Sequence, residues 1–317
     1  MADKQKVSEY YTRPPTLGKW ESFRQFLWNS ETGQFLGRTG ASWAKILLFY
    51  LIFYSVLAGF FAAMLAVFYQ TLDARKPKWQ LSSSLIGDNP GLGFRPMPPE
   101  SNVESTLIWY KSSDKGNVQY WQNQLKLFLT KYNKDNKLQT VEPCTPFQNA
   151  TAPGKVCDVS MTKSWHPCLE ETGFGFEDPK GGPCIFLKLN KIYNWVPEYY
   201  NSSNMPNDNT MSEHLKQDII NAEAANEHRL VWVTCEGENP ADKENIGTLR
   251  YIPYRGFMSQ YFPFQNQDGY LSPLVAVHFE EPKRGVLINI ECKAWAKNIH
   301  HDRADKRGSV HFELMID

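Results

Sequence analysis

The chain has 317 residues, and its 34 Lys and Arg residues balance its 34 Asp and Glu residues, so its formal net charge is zero. This balance argues against a nucleic-acid partner, because proteins that bind nucleic acids carry an excess of positive charge. The sequence also lacks internal repeats and long low-complexity tracts, which excludes repeat architectures.

The first strong element is an apolar run over 46–72 that contains no charged residue. About 20 apolar residues suffice to cross a hydrocarbon core of about 30 Å, so the run predicts one membrane-spanning helix. Residues 1–45 are polar and contain no cleavable signal peptide. We therefore interpret 1–45 as a tail and the span itself as the export signal.

Three features predict the orientation of this span. Lys and Arg outnumber Asp and Glu by seven to four in residues 1–45, which favours a cytoplasmic N-terminus. All six cysteines lie C-terminal to the span, and disulfides form in oxidising compartments. The glycosylation sequons at Asn149 and Asn201 lie on the same side. Together these features predict a single-pass type II protein.

The span carries two aromatic pairs with spacing i, i+4: Phe49 with Phe53, and Tyr50 with Tyr54. This spacing places the members of each pair on one stripe of a helix. A phenolic hydroxyl inside a bilayer needs a hydrogen-bonding partner, and Gly59 permits the close approach of a second helix. The pattern favours a helical partner. The alternative is that the tyrosines belong to the interfacial aromatic belt.

Residues 73–105 are rich in Pro and Gly, which predicts a stalk or linker. The remaining residues, 106–317, are enough for one sizeable extracellular core. Apolar positions at helical spacing predict surface helices over 118–132 and 212–227. Short β-branched runs predict strands over 230–234, 274–279, 286–292 and 310–315. In the third of these, Ile288, Ile290 and Cys292 alternate with polar residues, which indicates half-buried antiparallel sheet.

Six cysteines allow several pairings, and their spacing alone does not choose among them. The simplest arrangement is sequential, and it would pair the cysteines as Cys144 with Cys157, Cys168 with Cys184, and Cys235 with Cys292. The last pair ends two predicted strands and could join two sheets, as in immunoglobulin-type sandwiches. Zinc binding is not expected, because the sequence has neither Cys-x-x-Cys nor His-x(3–5)-His spacing.

The sequence contains no recognisable catalytic motif. It has no Asp-x-Asp motif, no Gly-x-Ser-x-Gly elbow and no phosphate-binding glycine loop. The adjacent His300 and His301 read as surface residues rather than as metal ligands, because neighbours on a strand point to opposite faces. We therefore expect no enzyme activity, no cofactor and no metal.

Three segments carry a family resemblance. The stretch QFLGRTGASWAKILLFYLIFY over 34–54 resembles the segment that joins tail to span in sodium/potassium-transporting ATPase beta subunits. The motif of Tyr261, Phe262, Pro263 and Phe264, followed by GYLSPLVAVHF over 269–279, is similar to a second signature of that family, with Phe264 in place of a tyrosine. The third segment is IECK over 290–293, and the C-terminal region looks more like insect-type members.

The resemblance implies a single transmembrane helix plus a mainly-β ectodomain, an immunoglobulin-like β-sandwich with a few surface helices and three sequential disulfides. It implies a non-catalytic subunit in the plasma membrane that assists folding, delivery and stability of a catalytic alpha subunit and modulates potassium affinity and occlusion. The resemblance also implies a small single-span regulatory subunit as a further partner.

The resemblance also implies which residues contact the pump. Tyr50, Phe53, Tyr54 and Gly59 would meet the membrane helices of the pump, and residues 261–264 would meet an extracellular pump loop. A proton/potassium pump partner is a variant of this reading, and its rival is a type II adhesion or receptor glycoprotein.

Overall fold

The structure, a computed structural model, describes residues 18–99, 101, 105–132, 139–148, 152, 154–206, 210–302, 305 and 307–317. The chain divides into two compact units, Met1–Asp73 and Ala74–Asp317. The described part of the first unit is mainly helical, and that of the second is mainly β-sheet.

The first unit has a short helix, a small sheet and a long helix. These elements are α1 (Lys19–Leu27), β1 (Trp28–Asn29), β2 (Gln34–Phe35), β3 (Arg38–Thr39) and α2 (Gly40–Gln70). The three strands pair antiparallel in the order β1-β2-β3. Thr39 has an extended backbone and is the N-cap residue of α2.

Helix α2 is 31 residues long, and it is the helix in the described residues that is long and apolar enough to cross a membrane. It begins six residues before the predicted apolar run, because the chain turns directly from the extended Thr39 into the helix. None of its side chains is buried. The prediction of one apolar helix near the N-terminus is therefore confirmed.

The second unit contains eleven strands and three helices among its described residues. In chain order they are β4 (Leu92–Arg95), β5 (Leu107–Tyr110), α3 (Lys115–Leu129), β6 (Val141–Glu142), β7 (Val156–Cys157), β8 (Cys184–Leu189), α4 (Glu213–Ala224), β9 (Leu230–Gly237), α5 (Pro240–Asn245), β10 (Leu249–Ile252), β11 (Gly256–Met258), β12 (Leu274–Phe279), β13 (Ile288–Trp295) and β14 (Ser309–Ile316). The mainly-β ectodomain is thus confirmed.

Two of the sheets pack face to face. The four-stranded sheet has the order β10-β12-β8-β4, and the five-stranded sheet has the order β11-β9-β13-β14-β5. All neighbours are antiparallel except β14 and β5, which are parallel. Phe312 of β14 contacts both Phe94 of β4, at 5.0 Å between ring centroids, and Phe279 of β12, at 6.4 Å. These three rings are buried and form part of one core between the sheets.

The alternation predicted for strand β13 is confirmed, because Ile288, Ile290 and Cys292 are buried and the residues between them are partly exposed. The expected sheet-to-sheet disulfide is wrong. Cys235 of β9 and Cys292 of β13 are direct partners on adjacent strands, so their bridge lies within the five-stranded sheet. The two strands that carry the cysteines pair with each other, which no local pattern reveals.

The two predicted surface helices are present with shifted ends. Helix α3 begins at Lys115 rather than 118, because the Asp114 carboxylate accepts hydrogen bonds from two backbone N–H groups of the first turn. Helix α4 begins after Ser212, whose hydroxyl accepts a hydrogen bond from Leu215 N at 3.4 Å. Its buried residues pack in a second, smaller cluster against β9 and β13 on the face of the five-stranded sheet away from the main core.

The linker prediction for 73–105 is wrong for part of that segment. Strand β4 pairs with β8 in the four-stranded sheet, and its Leu92 and Phe94 side chains are buried. Pro and Gly correctly indicate the irregular chain before it, but the apolar alternation of four residues is too short to stand out in sequence. The end of the segment therefore belongs to the ectodomain core.

Candidate partner-binding surfaces

The aromatic side chains of α2 form two stacked pairs on its surface. The ring centroids of Tyr50 and Tyr54 are 5.9 Å apart, and those of Phe49 and Phe53 are 6.1 Å apart. Tyr54 remains 58% exposed, so its ring and hydroxyl are available to another molecule. The structure thus places the predicted residues on neighbouring stripes of one helix surface.

Gly59 is not on the tyrosine stripe. It follows Tyr50 by nine residues, and at about 3.6 residues per turn this is two and a half turns, so the two residues lie on opposite sides of α2. A Cβ added at Gly59 would meet no atom within 4 Å. This side of α2 therefore offers a smooth surface that another helix could approach closely.

The motif of residues 261–264 lies between strands β11 and β12 and is half-buried. The Tyr261 hydroxyl donates a hydrogen bond to the backbone oxygen of Asp158 at 3.3 Å. The Tyr270 hydroxyl donates to the backbone oxygen of Tyr261 at 3.1 Å. Burial, together with the Asp158 carboxylate, raises the pKa of Tyr261 to about 12. The phenol therefore stays neutral and acts as a donor at physiological pH.

The two phenylalanines of the motif pack against aromatic neighbours. Phe262 makes an edge-to-face contact with Trp195, at 5.6 Å between centroids. Phe264 contacts Tyr270 at 4.9 Å and Tyr193 at 6.4 Å, and its backbone oxygen accepts a hydrogen bond from Asn194 N. Phe264 thus serves as a packing residue without the hydroxyl that a tyrosine would present.

The first disulfide lies against Gln260, the residue that precedes this motif. Cys157, bonded to Cys144, has its sulfur 3.5 Å from the backbone oxygen of Gln260. The Gln260 side chain accepts a hydrogen bond from Phe147 N in the loop closed by the same disulfide. A second disulfide joins Cys168 to Cys184 at the start of β8, and no described cysteine is free.

The sequence-based prediction named no charged residue beside the motif, but Lys191 lies against it. Lys191 Nζ lies 4.8 Å from the ring centroid of Phe264 and 4.9 Å from that of Tyr270. Burial lowers the pKa of Lys191, and repulsion from Lys131 adds to this shift. The pKa of Lys188 is lowered by burial and then by Lys131, Arg95 and Lys191.

Arg95 and Lys131 both lie over the Phe128 ring, and Arg95, Lys131 and Lys191 are near enough to Lys188 to lower its pKa, so we call these four residues the cation cluster. None of them is within ion-pair distance of a carboxylate among the residues that the structure describes. Their positions are scattered along the chain, so no sequence signal reveals the cluster. Lys191, the member of the cluster that contacts Phe264, makes the surroundings of that ring electropositive.

The other predicted positions concern metal binding and glycosylation. In the described part of the chain, no group of three or more His, Cys, Asp or Glu side chains could hold a metal ion. The His301 ring packs on Trp295, with its Nε2 2.8 Å from the Ala294 oxygen, and burial lowers the pKa of His301. The Asn201 side chain accepts a hydrogen bond from Ser203 at the surface, and Asn149 lies outside the described residues.

Comparison with known proteins gives one consistent family. A family model described as "Sodium / potassium ATPase beta chain" matches residues 13–312. The chain is 51% identical to the sodium/potassium-transporting ATPase subunit beta-2 of Drosophila melanogaster, over 98% of this chain and 96% of that protein. It is 40% identical to subunit beta-1 of the same organism, over 96% and 95%, and 31% identical to human subunit beta-2, over 94% of each chain. The chain therefore belongs to the family of sodium/potassium ATPase beta chains.

Proposed function

We propose that this chain is the non-catalytic beta subunit that binds the catalytic alpha subunit of a sodium/potassium pump and assists its folding, membrane delivery and stability. In this proposal the protein is a type II protein of the plasma membrane. Residues 1–45 are cytoplasmic, 46–72 span the bilayer, and 106–317 are extracellular and glycosylated at Asn149 and Asn201. A small single-span regulatory subunit is a further partner.

The observation that carries this proposal is the exposed tyrosine stripe of α2. Tyr50 and Tyr54 are 48% and 58% exposed in a helix that contains no charged residue between Ile46 and Gln70. Such hydroxyls gain a hydrogen-bonding partner when a second helix covers them, whereas lipid chains offer none. In the ectodomain, Tyr261, Phe262, Pro263 and Phe264 would meet an extracellular pump loop.

An accessory chain can change the potassium affinity of its partner without touching the ions. If it contacts one pump conformation more extensively than another, it shifts the equilibrium between them by the difference in contact free energy. A difference of about 1.4 kcal/mol corresponds to a tenfold change in an equilibrium constant. This is the route by which the ectodomain would modulate potassium affinity and occlusion.

The test replaces Tyr50 and Tyr54 together by Leu in the full chain and co-expresses it with the pump alpha chain. We expect a severalfold lower recovery of the alpha chain with the beta chain from detergent. The matched control is Tyr69→Leu, which makes the same change on the last turn of α2. Tyr50→Phe with Tyr54→Phe separates loss of the hydroxyls from loss of the rings. Unchanged recovery of the alpha chain with the Leu variant would contradict the proposal and favour an adhesion or receptor role.

A further inference from the structure

Helix α1 carries large apolar side chains on one face, and they are exposed. Trp20, Phe23 and Leu27 recur at helical spacing and are 78%, 52% and 38% exposed. The rings of Trp20 and Phe23 are 6.0 Å apart. Glu21 and Gln25 lie on the other side of the helix, so α1 is amphipathic although none of its residues is buried.

The small sheet that follows extends this apolar surface. Phe26 at the end of α1, Trp28 of β1 and Phe35 of β2 are each about half-exposed. Together with Trp20, Phe23 and Leu27 they make a dense set of large apolar side chains within the sixteen residues 20–35. Exposed apolar groups at this density are typical of surfaces that contact another protein or a membrane.

Hydrogen bonds hold α1 and the sheet to the beginning of α2. Leu36 N donates to the backbone oxygen of Leu27, and Gly37 N donates to that of Phe26, both at 3.1 Å. The Trp43 indole, in the first turns of α2, donates to the Phe35 oxygen at 2.8 Å. When α2 spans a bilayer, a segment tied to its first turns lies at the level of the lipid headgroups.

The charges of this region fit the same location. Lys19, Arg24, Arg38 and Lys45 accompany the aromatic surface, against Glu21 and Glu31. Aromatic side chains prefer the interface between headgroups and acyl chains, and cations beside them interact favourably with anionic lipids. A protein partner would also cover the aromatic surface, but only in the complex, whereas lipid covers it in the chain alone.

We infer that α1 and strands β1–β3 form a juxtamembrane platform that lies in the headgroup layer at the N-terminal end of α2 and binds anionic phospholipid, with Trp20, Phe23 and Leu27 facing the acyl chains. The platform would orient the first turns of α2 in the bilayer. This inference is independent of the proposed contact with a pump.

The experiment uses single introduced cysteines, because all six native cysteines are paired in disulfides. The full chain, alone and in complex with its pump partner, is reconstituted in vesicles of phosphatidylcholine with phosphatidylserine. A spin label is attached at Trp20→Cys or Phe23→Cys, with Glu21→Cys and Gln25→Cys as matched controls on the polar face. Collision rates with oxygen and with a water-soluble nickel chelate then report the depth of each label.

We expect labels at 20 and 23 to favour oxygen and labels at 21 and 25 to favour the nickel chelate, in both samples. Neutral vesicles should give a smaller contrast between the two faces, because the lipid charge is then absent. Three results would each overturn the inference: equal access of the chelate to all four sites, protection of 20 and 23 only when the pump partner is present, or a contrast that does not depend on phosphatidylserine. Because two positions probe each face, one variant that fails to fold does not decide the outcome.

Discussion

The two units of this protein use the same residue types in opposite ways. Phe312 in the ectodomain is fully buried between two sheets, whereas Phe53 in α2 is 48% exposed. The ectodomain buries its apolar surface within itself, and so it carries its stability internally. The first unit leaves its large apolar side chains exposed. Substitutions in the ectodomain should therefore change folding, and substitutions in α2 should change association.

The largest expected effect is the difference in ectodomain stability between a Phe→Ala substitution in the ectodomain core and the same substitution in α2. Phe312→Ala removes a ring from the core and should destabilise the ectodomain by about 3–5 kcal/mol, because a cavity remains where the ring was. Phe53→Ala should leave ectodomain stability unchanged. The measurement is denaturant unfolding of the full chain in detergent, followed by near-ultraviolet circular dichroism. Equal destabilisation by both substitutions would contradict the comparison.

The second effect concerns the disulfide within the five-stranded sheet. Cys235 and Cys292 are separated by 57 residues, whereas the other two pairs are separated by 13 and 16. Replacing Cys235 and Cys292 by Ala should cost about 2–5 kcal/mol, because the unfolded chain gains freedom in the longest loop. The matched control replaces Cys144 and Cys157 and should cost less. Thermal unfolding of the two variants checks the order, and a reversed order would argue against the loop-length explanation.

The smallest effect is a pH dependence that only the ectodomain should show. The His311 ring on β14 contacts the carboxylates of Glu238 and Glu313. Burial alone would lower the pKa of His311, but hydrogen bonds and attraction from both carboxylates outweigh it and raise the pKa. The stabilisation is therefore fully present below the unfolded value of about 6.5 and is lost as pH rises through the folded pKa.

The measurement is the difference in the free energy of unfolding between the native chain and His311→Gln, followed from below about pH 6.5 to above the folded pKa of His311. The difference isolates His311 from His278 and His301, whose pKa values are lowered by burial and which act in the opposite direction. A difference that stays constant with pH would show that His311 does not titrate with its carboxylates.

Local patterns predicted the elements more reliably than their arrangement. The alternation of Ile288, Ile290 and Cys292 correctly indicated a half-buried strand, and Ser212 correctly indicated the start of a helix. Both signals depend on neighbours within a few residues. Strand β5 pairs in parallel with β14, about 200 residues away, and nothing in either segment indicates that pairing.

The sequence alone determined that one apolar helix precedes a mainly-β ectodomain, because hydrophobic length and periodicity are local properties of a chain. It also determined the family, through motifs that are continuous in sequence. Only the tertiary structure decided that the Cys235–Cys292 bridge lies within one sheet and that Lys191 lies against the Phe264 ring. These features depend on which distant strands pair, and that choice is made by packing of the whole core rather than by any single segment.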